Sequence, residues 1–312
     1  MRYLTYSFIL TFFIATSLTA QAKKDKKDID LYSNNFPAYV IYNSAGEKIS
    51  YTEMMKGLSK KDICLFGEFH DDPISHWLEK VITENLAAEK GQNLVLGGEM
   101  WETDQQLLMD ELLSGMIDKK SYTEAANNWP NFNDYKPLVG IAIKNNLRFI
   151  CTNIPRRYAN IIYKKGEAYL DSLPQQAYQY LPPLPIHYDL EQPAYASMLG
   201  LFADDDSSHN SSNPMAKYKG TNLVKAQAIK DATMAYNILK NWEKGKYFMH
   251  YNGVYHSKYR QSIVYYLNYY NPDVEVATIS VSRQENVLNL QDENNTGDYN
   301  IVVQEQMTKT YQ

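Results

Sequence analysis

Short apolar runs alternate along the chain with longer stretches that mix apolar and polar residues. The runs DICLFGE, NLVLGGEM, LRFICTN, KYFMHYNG and EVATISV are typical of strands that are buried on both faces. The stretches between them carry helix signals, such as the capping box from Ser50 to Glu53 and the proline that follows Asp72. This alternation predicts an α/β fold, with a mostly parallel sheet and helices on both faces.

Two segments interrupt this rhythm. Residues 104–135 carry additional short helical patterns, and residues 167–220 combine clustered prolines with a polar low-complexity stretch. We expect both to be helical or irregular inserts that form a smaller helical cap on the sheet. The prediction is therefore one α/β domain over residues 37–283, followed by a polar C-terminal tail at 284–312 in which residues 298–305 add an edge strand.

The N-terminus has the pattern of a secretory signal peptide over residues 1–22. A short positive start precedes an apolar run, and small residues at a cleavage pattern end at Ala22. We predict export, with cleavage near Ala22 and a charged, mobile lead-in at residues 23–36. The destination is the periplasm, the cell surface or the medium. The alternative is a retained anchor, although the apolar run is short for a bilayer.

Charge and cysteine content exclude some classes of function. The 312-residue chain has a formal net charge of −5, so it lacks the basic field that nucleic-acid binding requires. Cys64 and Cys151 lie inside apolar runs, which favours free buried thiols over a disulfide and over a cysteine nucleophile. The 27 tyrosines either pack in the core or supply phenols for a flat ligand or ferric iron.

Polar side chains follow several of the predicted strands. The first strand ends with Glu68 and His70, the second with Glu99, and the fourth with His256. The carboxyl ends of parallel strands meet at one edge of a sheet, where such folds bind ligands. Taken alone, each of these residues is explained as a helix cap or as a side chain that packs in the core. Two G-x-x-H motifs and a glutamate at three strand ends nevertheless predict a shared site.

Two imidazoles and a carboxylate suit two kinds of chemistry. They are credible ligands for a transition metal, and they could also act as a base with an orienting acid on a bound water. The candidate metal ligands are His70, Glu99 and His256. The same three residues, with Glu68, are the catalytic candidates if the protein is an enzyme.

Further polar residues are expected near the same edge. Arg156 and Arg157 open the helix after the third strand, where they suit carboxylate ligands unless they form an exposed basic pair. Gln227 and Asp231 lie four residues apart and share one face of a long helix, which faces the site unless the pair is an exposed polar stripe. The predicted ligand-binding residues at these strand ends and helices are His70, Glu99, Asn153, Arg156, Arg157, Gln227, Asp231, Tyr255 and His256.

A family resemblance rests on six segments in order. GEFHDDP, GGEMWETDQQ, the segment from Trp129 to Tyr135, TNIPRR, AQAIKDATMA and NGVYH together resemble the ChaN domain of the haem-binding uptake/TIKI-type superfamily, over roughly residues 40–282. The resemblance implies an exported haem-binding protein of iron acquisition, with a parallel-sheet domain and a smaller helical domain. By position, His70, Glu99 and His256 match the polar triad of the superfamily.

The resemblance also implies partners and a haem ligand. Haem in that family can be held by tyrosine and shared across the interface of a homodimer. We also expect an outer-membrane uptake system as a partner. The tyrosines near the predicted cap and edge are Tyr158, Tyr188, Tyr195 and Tyr255. The bulk of Phe69 and of the Val254-Tyr255 pair departs from the small residues common in the family's two G-x-x-H motifs.

Three functions follow from these observations. A haem-binding protein of iron uptake is favoured by the ordered segments, the predicted export and the supply of phenols. A metal-dependent hydrolase, either a TIKI-like protease or an esterase, would use the same triad. The sequence has neither H-E-x-x-H nor G-x-S-x-G, so it gives no support to the standard protease classes. The third function is a non-catalytic adhesin or scaffold that retains a vestigial site.

Overall fold

The computed structural model of the protein describes residues 37–189, 191–196 and 214–311. The predicted signal peptide at 1–22, the lead-in at 23–36 and the polar low-complexity stretch at 204–213 lie outside the described residues. Across the described ranges, no helix is both long enough and apolar enough to cross a membrane.

A seven-stranded sheet forms the centre of the described chain. Its strands are β1 (Tyr39–Asn43), β2 (Ile63–Glu68), β3 (Leu94–Glu102), β4 (Arg148–Asn153), β5 (Tyr247–Gly253), β6 (Val276–Gln284) and β7 (Tyr299–Gln304). They lie in the order β1-β7-β6-β2-β5-β3-β4, and the pairing is parallel except between β1 and β7. The predicted α/β class, with a mostly parallel sheet, is confirmed.

Helices cover both faces of this sheet. They are α1 (Tyr51–Leu58), α2 (Pro73–Lys90), α3 (Gln106–Leu113), α4 (Lys119–Ala125), α5 (Phe132–Asn145), α6 (Arg156–Lys165), α7 (Pro214–Asn241) and α8 (Ile263–Tyr270). Short 3-10 helices at Glu167–Ser172 and Gln175–Tyr180 follow α6, in the segment where the sequence predicts an insert.

The continuous apolar strands are explained by two cores, one on each face. Cys64 and Phe66 of β2 pack into the core that includes α2 and α5, whereas Ile63 and Leu65 pack into the core that includes α6, α7 and α8. Successive side chains of a strand point to opposite faces. A strand covered on both sides therefore has no polar alternation, as the sequence pattern indicates.

The position of β7 and the state of the two cysteines bear on the predictions from the sequence. Strand β7 lies between β6 and β1, so the predicted strand at 298–305 exists but is not an edge strand, and β1 takes the edge instead. Cys64 on β2 and Cys151 on β4 are free and buried, as predicted. Because β5 and β3 separate their strands, the two thiols are not neighbours.

The carboxyl ends of β2, β3 and β5 meet at one edge. Glu68 at the end of β2 pairs in register with Gly253 at the end of β5. The pairing of β3 with β4 shifts between Gly98 and Glu102, so Glu99 lies in an irregular stretch. Such irregularities re-aim side chains, and this one lies at the point where the chain turns Glu99 towards β5.

Candidate functional site

His256 occupies the centre of a buried ion-pair cluster at this edge. A single 3-10 turn, Val254–His256, follows β5 and turns the imidazole inwards, where the residue is 5% exposed. Its Nε2 lies 3.1 Å from Oε1 of Glu99, and its Nδ1 is hydrogen-bonded to Oδ1 of Asp231. Burial lowers the pKa of His256, but the two carboxylates outweigh it and raise the pKa to about 10. The ring is therefore an imidazolium held between two carboxylates.

Glu99 is fixed on both of its oxygens. While Oε1 faces His256, the Gly253 N–H donates to Oε2 at 2.8 Å. Burial raises the pKa of Glu99, but the charge of His256 and its hydrogen bond more than compensate, and the pKa falls well below its usual range. Glu99 is thus a permanent buried carboxylate, and Asn153 supports it by donating to its backbone carbonyl at 2.9 Å.

Helix α7 supplies the other side of the cluster. Oδ2 of Asp231 accepts a hydrogen bond from the hydroxyl of Tyr195 at 2.8 Å, and burial raises the pKa of Asp231. The side-chain nitrogen of Gln227, four residues earlier, lies 2.9 Å and 3.0 Å from the two ring nitrogens of His256. The structure places this i, i+4 pair on the site and not on an exposed stripe.

His70 lies beside this cluster and is held through one nitrogen. Its Nδ1 is 2.8 Å from Oε1 of Glu68 and 3.2 Å from the hydroxyl of Tyr135, which itself donates to Glu68 at 2.7 Å. Burial lowers the pKa of His70, but the Glu68 hydrogen bond and the Glu99 charge raise it above its usual value. Because Nδ1–H is directed at Glu68, the neutral ring carries its lone pair on Nε2.

The second nitrogen of His70 lies close to the backbone of Gly253. A Cβ placed on Gly253 would stand 2.9 Å from Nε2 of His70 and 3.5 Å from Oε2 of Glu99, so only glycine permits this approach. The indole of Trp129 packs edge-on against the imidazole, with ring centroids 4.9 Å apart. The His70 side chain is 36% exposed, and its Nδ1 is bonded to the buried carboxylate of Glu68.

Several predicted residues lie at the rim or in the support of this cluster. Arg157 pairs with Asp104 at 2.5 Å and Arg156 lies 3.7 Å from Glu102, with both guanidinium side chains more than half exposed. They form an exposed basic pair on the β4 side, each beside an acidic partner. Their positive charge is therefore largely compensated.

The four candidate tyrosines are not equivalent. Tyr195 is 1% exposed and its hydroxyl is bonded to Asp231. Tyr158 is buried beside Arg157, and Tyr188 is partly buried under the ammonium group of Lys225. Tyr255, in the second G-x-x-H motif, is 38% exposed, so it is the accessible phenol among the four.

Three residues of the site escaped the sequence analysis. Tyr135 orients Glu68, while His76 and Glu79 of α2 pack against the other Glu68 oxygen. Contacts with His70 and His76 overcome the effect of burial, which raises the pKa of Glu68, and lower it to about 2. The available signal was the spacing of His76 and Glu79, which are three residues apart in the helix after the first G-x-x-H motif and so share a face.

This arrangement supports two kinds of chemistry. Both nitrogens of His256 face carboxylates, and its Nε2 contacts Glu99, so binding a metal with this pair would require their ion pair to open. By contrast, in the described part of the chain Nε2 of His70 has no hydrogen-bond partner. His70 can therefore offer a lone pair to an iron, or accept a proton from a water, beside a charged acid–imidazole pair.

One solved structure shares this fold, and two others resemble the chain more weakly. The structure of ChaN from Campylobacter jejuni, with cofacial haem binding, is 20% identical, has a TM-score of 0.64, and matches over 85% of this chain and 97% of that chain. A protein from Bacillus cereus is 14% identical with a TM-score of 0.40, over 74% of this chain and 68% of that chain. A mutant of erythromycin esterase EreC in its open conformation is 10% identical with a TM-score of 0.43, over 79% of this chain and 77% of that chain.

The sequence itself gives the family. It matches none of the curated proteins with which it was compared. A sequence profile described as "Haem-binding uptake, Tiki superfamily, ChaN" matches residues 54–267, which is more than half of the chain. The segments that carry the resemblance, from the first G-x-x-H motif to the second, lie inside this match. The chain therefore belongs to the ChaN family of haem-binding uptake proteins in the Tiki superfamily.

Proposed function

We propose that the protein is an exported haem-binding protein of iron acquisition and that haem is its cargo. The haem would lie at the carboxyl edge of the sheet, over the ends of β2 and β5, with the helical segments around it as the cap. Family membership supports haem as the ligand. The observation that carries the location is the partly exposed His70, whose Nε2 has no hydrogen-bond partner in the described part of the chain.

The residues around His70 fit a haem iron. A neutral imidazole nitrogen is a common axial ligand, and Nε2, which no described residue hydrogen-bonds, is the nitrogen that carries the lone pair. Glu68 and Tyr135 fix the other nitrogen, which prevents the ring from turning away. Tyr255 offers a second accessible group, with the Lys258 ammonium 3.8 Å from the centre of its ring. Haem in turn supplies a flat apolar surface for Trp129.

The test is a titration of haem-free protein with hemin, followed by the Soret band. We expect saturable binding for the wild type and at least about tenfold weaker binding for His70→Ala, because a ligand to iron is lost. His187→Ala is the matched control, since that exposed histidine contacts Tyr265 and not the cluster. Absence of saturable binding by the wild type would refute haem as the ligand. Equal affinity of wild type and His70→Ala would refute only the location.

Export and partners are part of the same proposal. The pattern at residues 1–22 supports cleavage after Ala22, so the mature protein should begin at Lys23 and should appear outside the cytoplasm. Mass spectrometry of the fractionated protein measures both. The family supports a homodimer that shares haem and delivery from an outer-membrane uptake system. Light scattering with and without hemin tests the dimer.

A second candidate function is metal-dependent hydrolysis, either protease-like or esterase-like. The observation in its favour is the charged Asp231–His256–Glu99 cluster beside His70, which would stabilise charge near a water held by His70. This function predicts a bound metal and a turnover of ester or peptide substrates that disappears in His70→Ala. Turnover that persists in His70→Ala would exclude this role for the site.

A further inference from the structure

A second cluster of ligand atoms lies behind His70. One ligand atom from each of Glu68, His76 and Glu79 lies within 4.8 Å of the other two. Glu68 ends β2, and the other two residues are one turn apart in α2. The side chains of Glu68 and Glu79 are fully buried, and that of His76 is 8% exposed.

The hydrogen bonds of His76 determine whether its Nδ1 carries a hydrogen or a lone pair. Nε2 of His76 lies 3.1 Å from the backbone carbonyl oxygen of His70, which can only accept, so Nε2 carries a hydrogen. In the neutral ring, Nδ1 is then a lone pair directed at two buried carboxylates. Three acceptors that face one another in a dry environment require a cation or a proton between them.

The distances within the cluster are close to those between neighbouring ligands of a bound cation. Nδ1 of His76 lies 3.1 Å from Oε2 of Glu68 and 3.3 Å from Oε2 of Glu79. Bonds of about 2.0–2.2 Å to a tetrahedral ion place neighbouring ligand atoms roughly 3.3–3.6 Å apart. Among the described residues, Oε2 of Glu68 and Oε1 of Glu79 accept no hydrogen bond, although both are buried. The cluster thus has acceptor capacity that its protein neighbours do not fill.

We propose that Glu68, His76 and Glu79 bind a divalent transition metal ion of the zinc type. Two carboxylates and one imidazole are a donor set that suits Zn²⁺ and its borderline neighbours. The site is distinct from the proposed haem location, because His76 contacts Oε2 of Glu68 whereas His70 contacts Oε1. The other oxygen of Glu68 holds His70, so the ion would fix the carboxylate that orients the exposed imidazole.

The test uses Co²⁺ as a spectroscopic probe on full-length mature protein that is free of haem and stripped of metal. We expect one Co²⁺ per chain with the absorption of a tetrahedral site. Glu79→Gln should weaken this binding more than about 100-fold, since loss of a ligand exceeds the 10–100-fold cost of outer contacts. Glu84→Gln is the matched control, because Glu84 is half exposed on the same helix and faces Lys80. It should bind as the wild type does.

A further readout separates this site from the G-x-x-H cluster. His256→Gln should keep its Co²⁺ binding, because the ring nitrogens of His256 face Glu99 and Asp231 and not the three proposed ligands. No Co²⁺ binding by the wild type, or unchanged binding by Glu79→Gln, would show that a proton bridges the cluster and would overturn the proposal. Loss of Co²⁺ in His256→Gln but not in Glu79→Gln would place the metal at the G-x-x-H cluster and would also overturn it.

Discussion

Replacement of Gly253 by alanine tests the geometry of the site directly. The added methyl group would lie 2.9 Å from Nε2 and 3.1 Å from Cε1 of His70, which is about half an ångström closer than carbon and nitrogen normally approach. The backbone of Gly253 at φ −58° and ψ 142° accepts alanine without strain, so the cost arises only from this contact. The ring cannot simply move, because Glu68 and Trp129 hold it.

The expected magnitude combines two opposing terms. Overpacking costs about 1–3 kcal/mol, and the smaller conformational freedom of alanine in the unfolded chain returns about 0.4–1 kcal/mol. A net loss of about 1–2 kcal/mol lowers the melting temperature by roughly 2–4 °C for a domain of this size. Because the methyl group is directed at the nitrogen proposed to face haem, hemin affinity should fall by at least about tenfold, since 1.4 kcal/mol is a factor of ten.

Calorimetry and hemin titration measure the two effects, with Gly140→Ala as the control. Gly140 lies in α5 and has no atom within 4 Å of an added Cβ, so alanine there should be neutral or stabilising by up to about 1 kcal/mol. If Gly253→Ala melted and bound hemin as the wild type does, the close approach of His70 to β5 would be wrong.

Three other predictions concern the charged groups. Asp231→Asn keeps a hydrogen-bond partner for Tyr195 but removes one of the two charges that raise the pKa of His256. Urea unfolding should show a loss of about 1–3 kcal/mol in the free energy of unfolding. NMR titration should also show a lower imidazole pKa, which a merely structural role of Asp231 would not produce. The pKa of His256 rises from 6.5 to about 10 on folding, so its stabilisation, up to about 5 kcal/mol, is complete below pH 6.5 and is lost as pH rises through about 10. Urea unfolding across this window should show the loss, and a flat difference between wild type and His256→Gln would contradict it. Glu68 and Glu99 raise the pKa of His70, and iron requires an unprotonated Nε2, so hemin affinity should increase with pH through that pKa, by up to about tenfold per pH unit. A pH-independent affinity in the Soret titration would argue against His70.

The fold and the centre of the site were accessible from the sequence for one physical reason. Parallel strands place their carboxyl ends together, so polar residues after separate apolar runs converge without any knowledge of the loops. His70, Glu99 and His256 meet for that reason, and helical periodicity brings Asp231 to them.

Other features depend on information that no local pattern contains. Tyr135 reaches Glu68 from a helix 67 residues away in the sequence. Glu79 is fully buried in a helix that also carries exposed charges such as Lys80 and Glu84, so its sequence neighbours suggest a surface position. Likewise, the polar tail around β7 suggested an edge strand, although Ile301, Val302 and Val303 are buried on both faces.

The pairing of β1 with β7 has a consequence for how this chain is assembled. Residues Tyr39–Asn43 pair with Tyr299–Gln304, so among the described strands β1 joins the sheet only when a segment about 260 residues later in the chain is in place. Without β7, the edge of β6 that faces it also remains unpaired. A chain truncated before residue 299 would leave the facing backbones of β1 and β6 unpaired, so this topology makes the complete sheet depend on two segments that are far apart in the sequence.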